Sequence, residues 1–215
     1  MNQLRNYFVL AVLVLSACIL YILNSKTDAP DPTTRTVTLP KIEIEEDVRG
    51  NIVIIIDDFG YRDDNVSEGF LLLDENLTFA VIPGHHNSKV FAAKAAQGGF
   101  EVIVHMPMES KTKTPGEKEY MLTTSMTSSE IENRVEQVIA EFPEAVGMNN
   151  HQGSKATSDK RIMNIVGNVL KRYGKYFIDS RTTAETVAET TMRSRGVHTI
   201  RRHVFLDNEN KHNKI

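Results

Sequence analysis

Two adjacent carboxylates, Asp57 and Asp58, close an unbroken run of β-branched residues, Ile52-Val53-Ile54-Ile55-Ile56. Side by side at the end of an apolar run, two acids repel each other and lose water, so something must compensate, and a divalent cation does this most simply. A helix cap would account for one of them and not both. Further along, three more ionisable residues lie at or just past the ends of short apolar runs: His105, His151, which follows Asn149-Asn150, and Asp179. One carboxylate with two imidazoles is a facial ligand set for Zn²⁺ or a similar ion, with positions left for water and substrate. A second carboxylate beside that set can act as general base on the water. His85 follows Pro83-Gly84 and is either a substrate-loop residue or a solvated one. Glu109, four residues after His105, is a ligand, a supporting acid or a surface charge. The stretch Asn149-Asn150-His151-Gln152-Gly153-Ser154 is dense in amides. Asn149 and Asn150 there suit the hydroxyl or acetamido groups of a sugar, or else a turn.

The elements that must position these residues follow an alternating pattern. A short apolar run with no polar alternation reads as a strand buried on both faces. Such strands are expected at 51–56, 77–82, 100–104, 145–148 and 176–178, with weaker ones near 199–200 and 204–206. Helical spacing fills the intervals. It covers 63–73 and a helix capped at Asn87 or Ser88 and ended by Gly98-Gly99. A third helix opens on the capping box Ser129-x-x-Glu132, a fourth runs from Ser158 to Gly174, and a fifth spans 184–195. Residues 109–127 read as a long polar loop. Strand–helix alternation repeated this often means a parallel α/β sheet, wound open or rolled into a barrel. In either, the carboxyl ends of the strands share one rim, and the ionisable residues converge there.

Bulk properties narrow the chemistry. The chain has 215 residues and a formal net charge of -3, which removes the electrostatic case for nucleic acid as a partner. Its one cysteine, Cys18, lies in the N-terminal apolar segment, so the remainder has neither thiolate metal sites nor disulfides. Trp is absent, leaving Tyr or Phe for any sugar platform. Residues 1–6 are polar. Residues 7–23 are uncharged and nearly all apolar, about the shortest length that spans a bilayer. They are expected to form a signal anchor, with 1–6 cytoplasmic. A cleaved signal peptide and a lipoprotein signal at Leu15-Ser16-Ala17-Cys18 are the alternatives. Residues 24–49, with Pro30, Pro32 and Pro40, read as a flexible linker holding a domain of residues 50–215 on the periplasmic or extracellular side of the cytoplasmic membrane.

Five motifs in order now carry a resemblance: Ile-Ile-Asp57-Asp58-Phe59-Gly60, Phe79-Ala80-Val81-Ile82-Pro83, Glu101-Val-Ile-Val-His105-Met-Pro-Met-Glu109, Gly147-Met-Asn-Asn-His151-Gln-Gly-Ser154 and Phe177-Ile-Asp179-Ser-Arg-Thr182. Together they resemble the divergent polysaccharide deacetylase family over residues 50 to 208. The resemblance implies a distorted (β/α) barrel and a metal-dependent hydrolase that removes acetyl groups from a carbohydrate polymer, such as a peptidoglycan-like glycan of the cell envelope. It implies Asp57 as base and Asp58 as metal ligand beside two histidines. The usual His-x-x-x-His motif stands here as His105-x-x-x-Glu109, and His151 is the natural substitute ligand. Asp179 is expected to orient a catalytic group or contact substrate, and Asn149, Asn150, Glu109 and His85 to bind substrate. Family members usually continue past Asp207 into further strand–helix units and a late Gly-His-Pro strand end. The expectation is therefore a barrel shortened at its C-terminus, or alternatively a non-catalytic envelope protein that keeps a metal or glycan site.

Overall fold

The computed structural model describes residues 50–62, 64–74, 76–112 and 116–207. The expected anchor at 7–23, its flanking residues 1–6 and the linker up to Arg49 lie outside the described residues. Among the described residues, no helix is long and apolar enough to cross a membrane.

Six strands among the described residues form one parallel sheet: β1 (Ile55–Phe59), β2 (Thr78–Val81), β3 (Glu101–Met108), β4 (Gly147–Gln152), β5 (Tyr176–Asp179) and β6 (Thr199–Arg201). Their spatial order is their sequence order, and every pairing is parallel. This is the strand order of a (β/α) barrel, not of a doubly wound sheet, whose order reverses at a switch point. Five α-helices fill the described connections: α1 (Asn65–Phe70), α2 (Ser88–Gln97), α3 (Ser128–Glu141), α4 (Lys160–Arg172) and α5 (Ala188–Arg195).

Side chains alternate between the two faces of each strand, and the core divides accordingly. On the helix-covered face, Phe79, Val81, Val102, Val104, Met106, Met148 and Phe177 join one large cluster with Ile131, Val135, Val166 and Leu170. On the opposite face, Ala80, Ile103 and Ile178 form a small cluster with Ile55 and Tyr176 packed against it. Gly147 belongs to that inner face, where any Cβ would meet the Tyr176 ring. The α4 helix shows why the pattern folds as it does. Its buried residues Ile162, Met163, Val166, Val169 and Leu170 recur at helical spacing and make one apolar stripe.

Several boundaries differ from expectation. The first strand begins at Ile55, and Ile52, Val53 and Ile54 are exposed rather than buried on both faces. β1 is an edge of the described sheet, so its outer residues have no described strand covering them. β3 and β4 run on through Met108 and Gln152, which puts His105, Asn149, Asn150 and His151 inside strands rather than in loops. The box at the start of α3 is Thr127-x-x-Glu130, two residues earlier than expected. α4 is capped by Asp159 rather than Ser158. α5 starts only at Ala188, because residues 180–187 are held as a loop.

Candidate metal centre

The β1 strand does not reach its carboxylates in regular geometry. Ile56 pairs with Phe79 and Phe59 with Val81, so Asp57 and Asp58 together oppose a single residue of β2. This is a β-bulge, and Asp58 takes the left-handed conformation with φ 67°. An unbulged strand would send Asp57 inward, Asp58 outward and Phe59 inward. The extra residue restores Phe59 to the helix-covered face and leaves both acids at the rim. Phe59 fixes the arrangement by stacking on Phe91 at 4.1 Å and meeting Phe70 and Phe79 edge-on. A left-handed non-glycine residue costs on the order of 1–3 kcal/mol, least for Asp and Asn, and the burial of this aromatic ring offsets it. Gly60, with φ 122°, then ends the strand where a Cβ would press on Ser88 Oγ and Ile82 O.

Inner-face alternation brings up the remaining groups. His105 on β3 and Asn149 on β4 are register partners, and His151 follows two residues after Asn149 on the same face. His105 Nε2 lies 3.2 Å and His151 Nδ1 3.0 Å from Asp58 Oδ1. The two imidazoles are close and nearly perpendicular, with centroids 4.9 Å apart at 73°. One ligand atom from each of Asp58, His105 and His151 lies within 4.8 Å of the others, a grouping able to hold a metal ion. Asn149 supports it on the inner side. Its Oδ1 accepts the Nδ1–H of His105 at 2.6 Å, and its Nδ2 donates to Asp57 Oδ1 at 2.9 Å. Pinning the proton on Nδ1 leaves the His105 Nε2 lone pair facing the ligand position, as metal-binding histidines require. The donor set of one carboxylate and two imidazoles, one already fixed in its tautomer, fits a divalent cation such as Zn²⁺.

The electrostatics agree with the geometry. Hydrogen bonds from His105 and then His151 hold the Asp58 carboxyl well below the usual carboxylate range, against the opposing effect of partial burial. For His105, burial pulls the imidazole down, but the bond to Asp58, the charge of Asp57 and the bond to Asn149 prevail and raise it. Asp57 stands 3.8 Å from His105 Nδ1 and remains partly open to solvent.

The other expected site residues divide. His85 reaches the rim, where its ring lies 3.8 Å from that of Tyr61 and its Nε2 3.1 Å from Glu117 Oε1. Asn149 is a partner of His105 and Asp57, with its amide already engaged rather than offered to substrate. Asn150 falls on the opposite strand parity. It is buried, accepts from Ser180 N and donates to Gln152 O, so it ties β4 to the segment that follows β5. Asp179 shares the outer parity of Phe177. Its carboxylate is buried and takes the Thr186 hydroxyl at 2.8 Å and the Arg181 N–H at 2.8 Å. It organises the β5–α5 loop and is turned away from the face that carries the histidines. Glu109 binds Lys155 Nζ, Thr124 N and the Thr124 hydroxyl, which joins two loops and leaves it outside the ligand cluster. Burial opposes ionisation of Glu109, but these bonds hold its carboxyl below the usual range.

Two rim residues were not anticipated from sequence: Glu117 and Tyr61. The loop after β3 folds back so that Leu122 pairs beside Met108, with bonds Glu109 N to Leu122 O and Leu122 N to Pro107 O. Tyr120 packs over Gly84. Glu117 is thereby lowered beside His85, Tyr61 and His151. Glu117 is one of three acids in a polar loop that also holds Lys111, Lys113 and Lys118, and it carries no periodic signal that would single it out.

Comparison with known proteins places this geometry in a family. The chain is 41% identical over 158 residues to YibQ of Escherichia coli (strain K12), covering 74% of this chain and 49% of that protein. It is 31% identical over 163 residues to a protein of Haemophilus influenzae, covering 76% of this chain and 58% of that one. The chain thus spans about half the length of these relatives. Among solved structures it resembles ATU2773 from Agrobacterium tumefaciens C58, with a TM-score of 0.66 at 16% identity over 73% of this chain and 64% of that one. It also resembles a lactam utilization protein from Thermus thermophilus, with a TM-score of 0.51 at 14% identity over 71% of this chain and 66% of that one. At such identities these two likenesses speak to the fold alone. Residues 54–215 match the profile of the divergent polysaccharide deacetylases, and the chain belongs to that family.

Proposed function

We propose that this chain is a divalent-cation-dependent deacetylase of a carbohydrate polymer in the cell envelope. The observation that carries the reading is the Asp58–His105–His151 cluster with Asp57 beside it and Asn149 bonded to both Asp57 and His105. Asp58 Oδ1, His105 Nε2 and His151 Nδ1 would hold the cation, with Zn²⁺ the ion best matched to these ligands. A cation so held polarises an acyl carbonyl and makes water a better nucleophile. Asp57 takes the proton from the attacking water. It can return that proton to the departing amine or alcohol as the bond to the acetyl carbon breaks, releasing acetate. Asn149 keeps the base and His105 at a fixed spacing throughout. The half-exposed Tyr61 ring beside His85 offers an aromatic edge for a sugar, in a chain without Trp.

Family membership supports a polysaccharide substrate. The apolar N-terminal segment supports attachment to the cytoplasmic membrane, through a signal anchor or else through Cys18, with the domain outside the cytoplasm. The test is turnover of acetylated glycan oligomers by the full-length chain, with and without chelator. Acetate release that stops with chelator and returns with Zn²⁺ is expected, and Asp57→Asn should reduce it by at least about 100-fold. Absence of turnover by a cation-loaded protein that still binds glycan would sink the catalytic reading in favour of a binding role.

A further inference from the structure

The side-chain network next to the ligand cluster contains one feature that the proposed reaction does not use. Glu117 has a side chain only 4% exposed, yet its Oε2 has no hydrogen-bond partner among the described residues. Its Oε1 is engaged twice, by the Tyr61 hydroxyl and by His85 Nε2. A buried carboxylate oxygen without a donor is costly, so its surroundings show what it is for. The group it faces is His151 Nε2, at 3.9 Å.

That nitrogen belongs to the ring whose other nitrogen, Nδ1, points at Asp58 and the ligand position. The Gln152 amide nitrogen also lies 3.3 Å from His151 Nε2. An imidazole that gives its Nδ1 lone pair to a cation carries its proton on Nε2 and so becomes a donor there. An amide N–H cannot accept that proton, whereas a carboxylate oxygen can. Glu117 Oε2 is therefore the matching partner for His151 in its ligating form. His105 has its equivalent in Asn149, so each imidazole of the cluster has an oxygen acceptor facing the nitrogen opposite its ligating one.

We propose that Glu117 is a positioning residue of the metal centre, which accepts the Nε2–H of His151 and is itself held by Tyr61 and His85. This inference rests on the reading that Asp58, His105 and His151 bind a divalent cation. It gives the loop between β3 and α3 a function: the turn back through Leu122 carries an oxygen acceptor to the second histidine. An outer acceptor of this kind raises the basicity of the ligating nitrogen and fixes the plane of the ring, and its loss typically weakens metal binding by about 10–100-fold.

The test uses the full-length chain and Co²⁺ as a spectroscopic probe. Affinity is measured by competition with a chelator, and the visible spectrum of the bound cobalt is recorded for wild type, Glu117→Gln, Glu117→Asp and the exposed neighbour Glu119→Gln. Expected are about 10-fold or greater weakening and an altered cobalt spectrum in Glu117→Gln, partial recovery in Glu117→Asp and wild-type behaviour in Glu119→Gln. Metal-free thermal unfolding should be unchanged between Glu117→Gln and wild type, which separates positioning from folding. Cobalt affinity within about 2-fold of wild type and an unchanged spectrum in Glu117→Gln would overturn the inference while leaving the metal centre standing. Failure of the wild type itself to bind cobalt would overturn both.

Discussion

Asp58 and His105 depend on each other, and the dependence has a sign. The Asp58 carboxyl is held low, so its contribution to stability is present above the ordinary carboxylate value of about 4 and is lost as pH falls through its depressed folded value. The His105 imidazole is raised, so its contribution is complete below about 6.5 and is lost as pH rises through its elevated folded value. Metal-free protein should therefore lose stability as pH climbs above about 6.5, a loss that Asp58→Asn makes smaller, since the charge of Asp57 and the bond to Asn149 remain. Denaturant titrations across that range measure it directly. A wild type and an Asp58→Asn variant with the same pH slope would contradict the coupling. Added cation should reverse the trend, because a ligating His105 must give up its Nε2 proton, so affinity rises with pH.

At the scale of elements, strand parity decides which residues meet. Asp57, His105, Asn149 and His151 lie on the inner face or its rim, while Asn150 and Asp179 lie on the outer parity with Met148 and Phe177. That separation was readable in principle. Asp179 is two residues from the core residue Phe177, and a period of two assigns both to one face. Convergence of the strand ends was legible because apolar runs delivering Asp, His, His and Asp mark a common rim in a parallel sheet. The length of β3 and β4 was not, because His105, Asn149 and Asn150 are polar residues inside strands and break the apolar run that marks a strand in sequence. Nor was the bulge at Asp57-Asp58, whose only local trace is a doubled acid before Phe-Gly. The outer placement of Asp179 predicts that Asp179→Ala loosens residues 180–187, at a cost of about 1–3 kcal/mol for the Thr186 and Arg181 partners left unsatisfied. Cation affinity should stay within about 2-fold of wild type, since no ligand or its direct partner is touched. A loss of metal binding in that variant would return Asp179 to the site.

Across the whole described domain, the sequential strand order gathers Asp57, Asp58, His105 and His151 at one rim, and the helices cover the other face. The fold class follows from strand–helix alternation and from the five ordered motifs. The support of the site does not follow in the same way, since Glu117 and Tyr61 are brought in by a loop and a strand exit whose sequences carry no period. The central claim is that the rim holds one divalent cation through Asp58, His105 and His151. Isothermal titration of the metal-free full-length chain with Zn²⁺ tests it most directly, with His151→Ala and Asp58→Asn alongside. The account predicts about one ion per wild-type chain and loss of that site in both variants. Stoichiometric binding retained by His151→Ala, or none by the wild type, would contradict it.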